Sequence, residues 1–145
     1  MCSNLGRTII FRVAVAVLCV VGSTVPPSGA RLPGAGGSPA VYSIAKILLD
    51  FSHVPSVSQK ATLQAILDDD TTTFAEQVLA RALINVEHIA SPDDKPKLEA
   101  LARDESAPSA VRMLATILDK FTHTPTELDK KRLTRILQQA CKRRN

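Results

Sequence analysis

The chain has three histidines, His53, His88 and His123, and they stand 35 residues apart. Imidazole is the side chain whose charge changes near neutral pH, and in its neutral form it ligates divalent metals. One column of three therefore points to two kinds of chemistry. In the first, each histidine lies two residues beyond the last large apolar residue of a helix (Phe51, Val86 or Phe121). There it can donate to unpaired end carbonyls and, when charged, suits the negative end of the helix. Gln59, Asp94 and Asp129 form a parallel column further along, placed to accept a hydrogen bond from the histidine of the same repeat. In the second, His53, His88 and His123 make a metal site or a stacked ladder. Stacked helices lie roughly 8–10 Å apart, whereas zinc draws its nitrogens to about 2.0–2.1 Å. No Cys-x-x-Cys or His-Glu-x-x-His pattern accompanies the three. The structural role is preferred, and no metal or other cofactor is expected.

The second chemical feature is positive charge. Lys130, Lys131, Arg132, Arg135, Lys142, Arg143 and Arg144 crowd the last part of the chain. Lys131 and Arg135 are four apart and share one side of a helix. With Lys142, Arg143 and Arg144 they are the candidate partner-binding residues, suited to an anionic envelope surface. A terminal repeat must in any case be polar outside, because nothing stacks beyond it. Nucleic acid is not expected, since no aromatics interleave the charges to stack on bases. Asp68-Asp69-Asp70 lacks the alternating ligands, central glycine and closing glutamate of a calcium loop, and reads as a solvated turn. The sequence has no nucleophile elbow, phosphate loop or dinucleotide fingerprint. No catalysis is expected.

Of the 145 residues, 45% are apolar, 22% are charged and only 3% are aromatic, with no tryptophan. Leu, Ile, Val and Ala must then fill the core, which favours packed helices over strands. Arg7 and Arg12 precede an apolar run from Val13 to Val21, and Ser28-Gly29-Ala30 offers small residues for cleavage. This reads as a signal peptide over 1–30. An uncleaved membrane anchor is the alternative, but the run is shorter than the ~20 apolar residues of a span. The expected location is the periplasm or the exterior. Cleavage removes Cys2 and Cys19, so Cys141 is the one remaining thiol, which either stays free or joins two copies as a homodimer. It also leaves 16 basic against 14 acidic residues. Residues 31–39 are rich in Gly, Pro and Ser and read as a flexible linker.

Beyond it the sequence repeats three times without a gap, over 41–75, 76–110 and 111–145. Ile44, Leu79 and Leu114 correspond, as do Leu48, Leu83 and Leu118, then Leu63, Leu98 and Leu133. Each repeat predicts a long amphipathic helix and a shorter second one. The long helices are expected from Val41, over Phe74–Ile89 with Val78, Leu79, Ala82, Leu83 and Val86 inward, and over Ser109–Phe121. The second helices are expected to begin at Ser56 or Ser58, at Ser91-Pro92, and at Thr124-Pro125 with Glu127 as the capping-box glutamate. The fold class is all-α: three tandem helical hairpins forming a short solenoid or a compact six-helix array. In outline, Val41 to about Ala140 resembles the helical-hairpin repeat proteins of the tetratricopeptide and HEAT-like classes. That resemblance implies an interaction module for a protein or peptide. Metal binding through the histidine column and attraction of the basic tail to an anionic surface are the alternatives.

Overall fold

The computed structural model describes the backbone of residues 37–142 and side chains as far as Gln139. The stretch read as a signal peptide, most of the stretch read as a linker, Arg143 and Arg144 lie outside the described residues, as do the side chains of Cys141 and Lys142. Among the described residues there are six helices: α1 (Pro39–Leu49), α2 (Val57–Asp68), α3 (Phe74–Ile84), α4 (Lys95–Arg103), α5 (Ser109–Asp119) and α6 (Glu127–Lys142). None of them is long and apolar enough to cross a membrane.

The helices begin where short polar side chains satisfy free backbone donors. Ser38 caps α1, with Pro39 in the first turn. Ser56 caps α2, and Gln59 reaches back to complete a capping box. Thr73 and Glu76 form the same box at the start of α3. At α6, the amide of Asp129 donates to Thr126 Oγ1 at 3.2 Å, while Glu127 pairs with Lys130 at 2.8 Å. The cap is therefore Thr126, two residues after the expected Thr124, and the residue facing it is Asp129 and not Glu127.

The buried positions recur with the 35-residue period. Ile44, Leu79 and Leu114 are fully buried, as are Leu48, Leu83 and Leu118. Leu63, Leu98 and Leu133 from the second helices are equally inaccessible. Helix α2 packs on α3 and α4 on α5, more extensively than either packs within its own repeat. Helix α6 packs on α1 in the same way, and α1, α3 and α5 meet one another in the centre. Of the two arrangements open from the sequence, this is the compact array. The last repeat covers the first, and the domain closes into a ring of approximate threefold symmetry.

Four further boundaries, in α1, α3, α4 and α5, differ from expectation. Helix α1 starts at Pro39, inside the stretch read as linker, because Ser38-Pro39 is a cap followed by a first-turn proline. Helices α3 and α5 stop at Ile84 and Asp119, short of Ile89 and Phe121. In each, the capping residue's amide folds back onto helix carbonyls, as Asn85 does onto Arg81 and Leu83. This frees Val86 and Phe121 to turn into the core, where both are buried. Val78, expected inward, is half-buried, and Ala80 takes the inner place. Helix α4 starts at Lys95, since Ser91 accepts the amides of Asp94 and Lys95 through its carbonyl and closes a turn first.

Glu76 is buried at 5% exposure, in the column that holds Val41 and Val111. Its carboxylate accepts from the Thr73 amide at 2.8 Å and from the Ser38 hydroxyl. It thereby ties the starts of α1 and α3 together. Replacing it by alanine removes the shared acceptor of the Thr73 amide and the Ser38 hydroxyl and is expected to cost about 0.5–2 kcal/mol. Chemical denaturation of Glu76→Ala beside Glu76→Gln tests this, with the glutamine variant retaining most of the stability.

Candidate functional site

The end of the ring that carries the connections between α1 and α2, α3 and α4, and α5 and α6 is built around the histidines. Phe51, Val86 and Phe121 are buried, with the two phenylalanine rings edge to face at 5.1 Å. Two residues on, His53, His88 and His123 have positive φ values of 61°, 71° and 61°. L-residues seldom adopt this region, although histidine enters it more readily than most. The amides of Val54 and Thr124 close onto the carbonyls of Ser52 and Thr122 at 2.7 and 2.6 Å, so His53 and His123 occupy the tips of three-residue turns. Glu87 and Ile89 pair across His88 in the equivalent place.

The three turns are locked to one another. The His88 amide donates to the His53 carbonyl at 3.1 Å, His123 to His88 at 2.7 Å, and His53 to His123 at 3.1 Å. This cycle satisfies three donors and three acceptors with nothing left at either end. An open stack would leave its first donor and last acceptor without partners.

The side chains follow from that cycle. All three histidines are exposed, and their ring centroids lie 5.6 Å apart for His53 and His88, 5.8 Å for His53 and His123, and 5.3 Å for His88 and His123. The spacing expected of stacked helices is corrected by this convergence: closure about an axis, unlike translation along one, brings equivalent residues together. The hydrogen bonds expected from Gln59, Asp94 and Asp129 are also corrected. Gln59 accepts from the Ser56 amide, Asp94 from Asn85 at 2.9 Å and Asp129 from Thr126 at 2.6 Å. The imidazoles face each other instead. In this arrangement, no group of three or more His, Cys, Asp or Glu side chains among the described residues is set to hold a metal.

A second property of this end was not legible in the helix pattern. Among the described residues, the exposed large apolar side chains are Val54 (49%), Val57 (86%), Ile89 (47%), Leu128 (58%) and Phe74 (81%). The first four lie in the histidine turns or in the first helical turns that follow them; only Phe74 starts a helix at the other end. Beside Ile89, a cleft of about 600 Å³ runs between Lys60, Asn85, Glu87, Ala90 and Pro92. Single exposed apolar residues are ordinary, but their gathering on one face marks a surface suited to contact.

Of the basic candidates, Lys131 and Arg135 lie further along α6 from Leu128. Lys131 and Arg135 are exposed on α6 and border one shallow depression with Lys130 and Thr134. Lys130 is tied to Glu127, and Arg132 to Asp129 at 3.4 Å. Exposed pairs of this kind contribute little stability. Asp68 ends α2, and Asp69 and Asp70 lie in the turn that follows, where Asp69 accepts from the Thr71 hydroxyl and amide. Those bonds hold its carboxyl below the usual range, as Ser106 does for Asp104 in the next repeat. Any stability from these turns is present above the ordinary carboxylate range and is lost as pH falls through the lowered values. Comparison with protein-family models, curated proteins and solved structures finds no match to this chain.

Proposed function

We propose that the chain is an exported helical-repeat domain that binds a protein or peptide through the end bearing the histidine turns. The observation that carries this reading is the grouping of Val54, Val57, Ile89 and Leu128 around that end. Burying exposed apolar surface contributes roughly 25 cal/mol per Å² before the costs of association. The cleft beside Ile89 adds a concave edge with Lys60 and Glu87 at its rim. Export rests on the Arg7 to Ala30 segment of the sequence.

A second reading uses the basic side of α6, where Lys131 and Arg135 stand exposed together. It assigns the partner to an anionic envelope polymer or headgroup. Crosslinking capture from envelope extract separates the two, with the chain as bait beside Val57→Glu/Ile89→Glu and Lys131→Glu/Arg135→Glu variants. The turn-face reading expects one captured protein that disappears with the first variant and persists with the second. The opposite pattern assigns binding to α6. Capture unchanged in both removes the turn-face proposal.

A further inference from the structure

We infer that His53, His88 and His123 form a site for one divalent transition-metal ion on the axis of the ring. This does not depend on the partner reading above, and its test has a separate readout.

Three imidazoles bound to one tetrahedral zinc by bonds of about 2.0–2.1 Å hold their ring centroids ~5 Å from each other. The separations here are 5.3, 5.6 and 5.8 Å. The rings already stand near that spacing, and the cycle of amide-to-carbonyl bonds holds the three residues side by side. The rings now meet edge on or tilted, at angles of 81°, 64° and 44°. Their nitrogens therefore do not share a point, in keeping with the lack of a preset ligand group. The missing step is a rotation of exposed side chains, which takes picoseconds to nanoseconds and moves no backbone.

The choice of residue points the same way. A backbone with φ of 61–71° is the natural place for glycine. The chain puts histidine there three times and uses no histidine anywhere else. Strained conformations at equivalent positions are kept where the side chain has work to do. Three neutral imidazoles without a thiolate suit zinc, copper or nickel better than calcium or magnesium. They leave a fourth position open toward solvent for water or a carboxylate.

The test is a calorimetric titration of the full chain with Zn2+, repeated with Co2+ as a spectroscopic substitute. One ion per chain is expected. Loss of one ligand, in His88→Gly, should weaken binding at least about tenfold, since even outer residues that support a ligand are worth that much. His53→Gly/His88→Gly/His123→Gly should abolish it. Glycine fits the positive φ, so the metal-free variants are expected to melt at or above the wild-type temperature. A variant with serine at Cys2, Cys19 and Cys141 should bind normally, and the cobalt spectrum should lack a thiolate charge-transfer band. Zinc should also shift the imidazole proton resonances of all three histidines in the wild-type chain. No stoichiometric binding, binding that survives in the triple variant, or binding that disappears with the cysteines would each overturn the inference.

Discussion

Ending the chain after Thr126 is expected to abolish cooperative folding of the whole domain, not of its last third alone. Helix α6 is the principal cover of α1, and it contributes Leu133 and Ile136 at 0% and 3% exposure. Burial of side chains of this size stabilises by about 1.5–3 kcal/mol each, and a small domain has only ~5–15 kcal/mol in total. In an open array, the first two repeats would retain their mutual packing after such a truncation. In a ring, the first helix loses its partner at the same moment as the last turn loses its place. Circular dichroism and a thermal melt decide between them. A truncated chain that keeps a sigmoidal melt and about two-thirds of the helical signal would show that the ring is not the cooperative unit.

The second large effect concerns the three equivalent leucines. Leu48→Ala, Leu83→Ala and Leu118→Ala each remove a fully buried side chain and are each expected to cost about 2–5 kcal/mol. The informative quantity is their similarity. End repeats of a stack have one neighbour and fray, so substitutions there cost less than in the middle. Around a ring every repeat has two neighbours. Urea unfolding of the three variants is expected to show losses that agree within about 1 kcal/mol. A central Leu83→Ala far costlier than the other two would argue for an open array.

The site was only partly legible before the fold was known. The histidine column is visible to anyone counting from 53 to 88 to 123. Their convergence is not, because sequence register fixes which residues are equivalent and leaves open how far apart equivalents lie. The positive φ was also hidden, since no glycine or asparagine stands at the tip of any of the three turns to announce it. The acceptors assigned from spacing alone, Asp94 and Asp129, found nearer partners in Asn85 and Thr126. The apolar rim had a faint signal in Val57 and Leu128, which interrupt otherwise polar first turns.

By itself the sequence determined the helical class, the repeat register and the identity of most core residues. Those depend on local periodicity, and a residue such as Leu98 or Leu133 is apolar because its face of the helix must be covered. Caps were less plain, because neighbouring polar residues compete for the same amides: Ser56 stood beside Ser58, and Asp129 holds the place expected of Glu127. Closure was settled only in three dimensions. It depends on the rotation from one repeat to the next, which is the sum of small packing angles between α2 and α3, α4 and α5, and α6 and α1. A rotation near one third of a turn joins the third repeat to the first, whereas a smaller one makes a stack, and both use the same apolar pattern. That angle turned three separated histidines into one cluster.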